Sequence, residues 1–276
     1  MAMFSSIRRI SALARLIVLD GLRRHALMGL ILFALAGTTG GLLFFDFIPR
    51  DIGRAANDFL FSITWLSGFI FLLFHAVQCM AWDNERGALH TFLARPISRT
   101  EYALALFSGL AVLLLALNII LGILGWGVLN IIKGSVGVSY FQHLSFPFFL
   151  LAGAGLYWIQ LIILAVILLF SSAVRGSFPV LLITLCYYFI CSGLPVVRQS
   201  LKQKISADPN QFLDTLLKWL TAFFPDFSWL DFKTLVASGD AVPAASQLAL
   251  PFILVSFYIV IVLWLACFIY ERRDLQ

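Results

Sequence analysis

Six stretches of this chain are each apolar enough and long enough to cross a membrane, and that excludes almost every other architecture. They run over about 26–45, 59–80, 106–132, 147–170, 178–197 and 251–270. A helix needs ~20 residues to traverse the hydrocarbon core of a bilayer. With no water there to satisfy backbone N–H and C=O groups, a spanning segment must satisfy them internally. Composition agrees: the chain is 61% hydrophobic and 12% charged, about half the charge usual for soluble domains. A soluble fold of 276 residues has no way to hide that much apolar surface. The expected fold is an all-α polytopic membrane protein. One transmembrane domain covers 1–276, with six transmembrane helices, an N-terminal amphipathic interfacial helix over 1–25, and an external amphipathic helix before the last span.

Positive charge orients the spans, because short cytoplasmic loops carry the excess of Lys and Arg. With the N-terminus inside, the inner segments hold Arg8, Arg9, Arg15, Arg23, Arg24, Arg86, Arg95, Arg99, Arg175, Arg272 and Arg273. The outer segments hold Arg50, Arg54 and Lys133, and a further five cations in the long loop 198–247, which the rule largely discounts. Both termini are therefore expected inside, in a multi-pass protein of the cytoplasmic (inner) membrane. The net charge of +5 then reports membrane topology, and no nucleic-acid partner is expected.

The flanking segments carry their own signals. In 1–24, Ile10, Ala14, Ile17, Val18 and Gly21 share one side of a helical wheel, while Arg8, Arg15 and Arg23 gather on the other. Such a helix lies in the interface, with its basic face toward anionic lipid. Gly37 and Gly41 form a G-x-x-x-G pair and are candidate dimer contacts, since small residues let helices approach closely. In the loop 198–247, Asp208 caps a helix with Pro209 at its first position. That helix is amphipathic over 209–224, with Phe212, Leu213, Leu216, Leu217, Leu220 and Phe224 on one face. A second short piece is expected around 231–237.

Catalytic patterns are missing where they would be informative. Lys133-Gly134-Ser135 lacks the glycine-rich loop of a phosphate-binding motif, so the chain has no ATP site of its own. The cysteines Cys79, Cys186, Cys191 and Cys267 lie in apolar segments without metal spacing, so no metal ligand is assigned. No Asp, Glu, Lys or Arg falls in the middle of a span, where ion-coupled transporters keep them. The polar groups at mid-span are Asn118 and Gln160, with scattered Ser and Thr, and these read as interhelical hydrogen bonds rather than a substrate site. The chain is thus expected to be no enzyme, with catalytic residues none.

One long polar segment, 83–102, faces the inner side between two spans. Pro96 stops any helix before it and bars Arg95 from the α conformation. Ser98 followed by Glu101 reads as a capping box at the start of the next helix. A short helix over 85–93, a break and a capped start are expected.

Glu85-Arg86-Gly87, then Leu89 and Leu93, then Arg95-Pro96-Ile97-Ser98-Arg99-Thr100-Glu101-Tyr102 resemble the loop between the second and third spans of ABC-2 type ABC-transporter permeases. The end Glu271-Arg272-Arg273-Asp274-Leu275 extends the resemblance along the chain. Where that family often has Gly-Lys after the tyrosine, this chain has Ala103-Leu104-Ala105-Leu106, which leaves a basic membrane-edge contact open. The run from Phe224-Pro225-Asp226 through Lys233 to Gly239 resembles the external segment of the branch linked to nitrous oxide reductase maturation.

The resemblance implies a permease subunit that moves a substrate, by export, on ATP hydrolysed by a separate ATPase. ATP and Mg would sit on that partner, present in two copies, beneath two permease halves, identical or homologous. It implies coupling to the ATPase through 81–105, with Glu85, Arg86, Gly87, Leu89, His90, Phe92, Leu93, Pro96, Ser98, Arg99 and Glu101 as contact residues. The 27 Phe suit a lipid-like cargo and equally suit lipid-facing bulk. The competing readings are a secondary transporter or channel without an ATPase, and an integral membrane enzyme.

Overall fold

In the computed structural model, residues 2–23, 26–45, 52–80, 98–136, 141, 144–204, 219, 223–237 and 245–272 are described. Nearly all of them are helical and none is in a strand. Helix α1 is Ala2–Arg23 and α2 is Ala26–Phe45. Helix α3 begins as Ile52–Ile70, passes through a π-helical turn at Phe71–Ala76 and reaches Met80. Then come α4 (Arg99–Val136), α5 (Phe146–Ala173) and α6 (Ser177–Lys204). A 3₁₀ turn, Phe227–Leu230, leads to the short α7 (Lys233–Ala237), and α8 is Ala245–Arg272.

Among the described residues five helices, α3, α4, α5, α6 and α8, are long and apolar enough to cross a membrane. Helix α2, Ala26–Phe45, is 20 residues long and carries no charged residue. The helices outrun the apolar windows read from sequence. Helix α3 starts at Ile52, so Arg54 and Asp58, expected in a loop, lie in its first turns. Helix α6 continues from 198 to Lys204, into the segment read as external loop, despite Pro195 within it. Helix α4, at 38 residues, is ~57 Å long at ~1.5 Å per residue, against ~30 Å of hydrocarbon. It therefore projects past the apolar layer or tilts strongly. Hydropathy locates where a helix is greasy. Backbone hydrogen bonding decides where it ends, and charged first turns are compatible with it.

The core is a single apolar cluster shared by α2 to α8, centred on α4 and α5. Leu110, Leu114 and Leu117 of α4 and Ile163, Leu164 and Ile167 of α5 are fully buried. The tight connection between α5 and α6 is shorter than the expected 171–177. Helix α5 runs to Ala173, the Val174 N–H donates to Phe170 O at 2.8 Å, and Gly176 has φ 104°. Only glycine takes that left-handed conformation without cost.

Candidate functional site

At one end of the bundle the start of α4 is held by the residues the sequence marks for it. The Glu101 N–H donates to Ser98 Oγ at 3.1 Å, and the Ser98 N–H donates to Glu101 Oε2 at 3.0 Å. This reciprocal pair is the expected capping box. Glu101 does more than cap. Its other oxygen accepts from Ser6 Oγ of α1, and Arg9 lies 3.8 Å from Oε2. Glu101 sits in the polar first turn, ahead of the apolar run. The Ser6 hydroxyl, the Ser98 N–H and the Arg9 charge together hold its carboxyl below the usual carboxylate range. One side chain thus joins the α4 start to the N-terminal helix.

Helix α1 then follows α4 lengthwise in the same direction. Ile17 and the Ala14 carbonyl press on Gly109, where an added Cβ would come within 2.9 Å of Ile17 Cβ. Gly21 packs on Leu113, with His75 of the π turn close by. The apolar side of α1 read from sequence is therefore real, but it covers α4. Arg8, Arg15 and Arg23 remain exposed on the other side, as does a row of Leu16, Leu19 and Leu22.

Deeper in the bundle, α3, α4 and α5 meet at a polar node. Asn118 Nδ2 donates to Gln160 Oε1 at 2.6 Å and to Leu114 O at 2.8 Å. Gln160 is wholly buried and presses on Gly68, just before the π turn; an added Cβ there would lie 2.0 Å from Gln160 Nε2. Both groups are expected to make interhelical hydrogen bonds; the structure pairs them with each other. Three buried atoms of this region, Ser67 Oγ, Asn118 Oδ1 and Gln160 Nε2, have no hydrogen-bond partner in the protein. Such groups are costly, at about 1–3 kcal/mol each. Asn118 also forms part of the wall of a cleft of about 730 Å³ between α3, α4 and α5, lined mainly by apolar and aromatic side chains.

At the opposite end, residues 226–237 fold down onto the bundle. Asp226, almost fully buried, accepts from Arg198 Nη1 at 2.7 Å, from the Ser228 N–H at 2.9 Å and from Ser228 Oγ at 2.7 Å. Arg198 also lies over the Trp229 ring at 5.2 Å. Asn57 Nδ2 donates to Lys233 O at 3.1 Å, and the Leu230 carbonyl rests on Gly155, leaving no room for a Cβ. The short piece expected at 231–237 is a helix over Lys233–Ala237, preceded by the 3₁₀ turn that Asp226 caps.

Of the residues assigned to ATPase coupling, Ser98, Arg99 and Glu101 are described and stand together at the start of α4. Glu85, Arg86, Gly87, Leu89, His90, Phe92, Leu93 and Pro96 lie outside the described residues, as does most of the amphipathic helix expected over 209–224. Gly37 faces Ile63 of α3, 3.2 Å from an added Cβ, so the close approach it permits is within the chain. The surroundings of Gly41 are outside the described residues. Sequence reading missed the contacts of Gly68, Gly109 and Gly155. Each is a glycine inside a helix, a place where it costs about 1 kcal/mol relative to Ala, and that was the available signal.

No known protein family matches the chain, and no characterised protein is significantly similar to it.

Proposed function

We propose that this chain is the membrane-spanning permease half of an ABC-type transporter, driven by a separate ATPase that docks on the segment 81–105. The observation that supports the reading most is the build of the α4 start. A force delivered to that segment meets a helix end that is capped by Ser98 and Glu101 and strapped to α1 through Ser6 and Arg9. A frayed helix start would dissipate a push locally. A capped and strapped one carries it along 38 residues of α4. The absence of Asp, Glu, Lys and Arg from mid-span positions favours this reading over an ion-coupled transporter.

In this reading Leu89 and either Phe92 or Leu93 anchor in an ATPase groove, since compact apolar residues at an interface centre carry most of the binding energy. Glu85, Arg86 and Arg99 form a charged rim that sets register. Both termini and 81–105 face the cytoplasm of the inner membrane, α2 is the sixth span, and two halves assemble over two ATPases. The test is co-purification in mild detergent. Leu89→Asp with Leu93→Asp should abolish recovery of the ATPase while the chain still inserts and melts normally. If that double variant keeps its ATPase and supports transport, the reading is wrong.

A further inference from the structure

A groove of about 530 Å³ runs between α1 and α4, near the end of the bundle where α4 begins. Ile7, Ile10, Ala14 and Val18 form its α1 side, at the spacing of one helical face. Ser108 and Val112 form its α4 side. They stand next to Gly109 and Leu113, where α1 touches α4, so the groove flanks the line of closest contact.

The wall is apolar, and one charge stands at its edge. Arg15 lines the groove, is exposed, and has no ion-pair partner among the described residues. A long side chain on a helix leans toward the helix N-terminus. Here that is the direction of Arg8, also exposed, and of the Arg9–Glu101 pair at the polar start of α4. The groove is thus charged toward that polar end and apolar on the way along α4. The chain also indicates what lies outside it. Leu16, Leu19 and Leu22 of α1 and Val112 of α4 are exposed, and apolar rows of that size mark a surface that meets lipid or protein rather than water. In a membrane protein, an unpaired cation at the lip of an apolar groove asks for an anion that carries a hydrocarbon chain.

We propose that this groove holds an acyl chain of an anionic phospholipid whose headgroup phosphate pairs with Arg15. Basic residues on an interfacial helix attract anionic lipid in general. The groove adds one saturable position, selected by Arg15 and not by the other arginines of α1. The site rests on the chain being embedded in a membrane. It goes beyond the permease reading and does not depend on an ATPase partner.

The experiment uses the full chain in phosphatidylcholine nanodiscs and two photoactivatable probes with the same diazirine-bearing chains, a phosphatidylglycerol and a phosphatidylcholine. In the native chain the phosphatidylglycerol should cross-link to peptides spanning 7–18 and 108–112 about fivefold more than the phosphatidylcholine, the worth of one arginine beside an anionic headgroup. Arg15→Gln should remove that preference and leave phosphatidylcholine labelling unchanged. Arg23→Gln, on the same helix but away from the groove, should keep the preference. Val112→Trp, at an exposed position, should fill the groove and lower labelling by both probes severalfold. Excess unlabelled phosphatidylglycerol should suppress labelling of the unsubstituted chain, a readout that needs no variant to fold. Glycerol phosphate, which has the charge without the chains, should not. Equal labelling by both probes would overturn the proposal and leave the groove as a place for any bilayer tail. A loss in Arg23→Gln as large as in Arg15→Gln would overturn it in favour of general attraction to a basic helix. Undiminished labelling of Val112→Trp, failure of the lipid competition, or displacement by glycerol phosphate would each overturn it as well.

Discussion

Glycine is the residue that separates the interiors of this bundle, and its positions fall into two kinds. At Gly155 the obstacle to a side chain is the Leu230 carbonyl, 2.2 Å from an added Cβ, and backbone cannot rotate away. At Gly68 the obstacle is the end of the Gln160 side chain, which is held by Asn118 but can move. At Gly122 there is no obstacle. The three Gly→Ala variants should therefore rank in stability. Gly155→Ala should lose about 2–3 kcal/mol and Gly68→Ala about 1–2 kcal/mol, as for overpacked cores. Gly122→Ala should be neutral or up to about 1 kcal/mol more stable, from helix propensity alone. Thermal or denaturant melts in detergent check the order, and a Gly155→Ala variant as stable as Gly122→Ala would show that the 226–237 segment does not rest where described.

Among the elements, α1 and the 226–237 segment play matching parts at the two ends of the bundle. Each carries a charged pair and a backbone approach to a glycine: Arg9 with Glu101 and Gly109 for α1, Arg198 with Asp226 and Gly155 for the segment. The pairs are not equal in weight. Arg9 is largely exposed, so its pair contributes little, as surface ion pairs do. Asp226 is only 3% exposed, and removing its partner leaves a buried charge, a loss of about 3–5 kcal/mol. Arg198→Met should therefore free the segment, seen as faster amide exchange over 226–237 with the spans unaffected. Adding Asp226→Asn should restore much of the protection, because the uncompensated charge is then gone. If Arg198→Met exchanges like the native chain, the pair is not what holds the segment down.

For the molecule as a whole, the proposed orientation rests on the arginine count, and the fold supplies two well-placed reporters that test it. Lys133 lies near the C-terminal end of α4, at the same end as the 226–237 segment, and Arg175 lies in the tight turn between α5 and α6 at the other end. In a background with the four native cysteines replaced, Lys133→Cys should react with a membrane-impermeant maleimide on intact cells. Arg175→Cys should react only after lysis. The reverse pattern would invert the topology and remove 81–105 from the side where ATP is available.

How much of this was legible in the sequence follows from the range of the forces involved. The all-α membrane class and the capping box at Ser98 and Glu101 depend on residues within a turn or a single span of one another, so the chain states them directly. That Asn118 and Gln160 make interhelical hydrogen bonds was legible too, but that they bond each other was not, because it depends on how α4 and α5 are set side by side. The partners of the apolar surfaces were not. In water a helix shows its buried side by being polar on the other. A spanning helix is apolar all round, since lipid and protein interior are equally free of water, and its packing is decided by shape. Thus the covering of α4 by α1, the seat of Leu230 on Gly155 and the open cleft beside Gly122 and Gly153 were settled only when the helices were placed side by side.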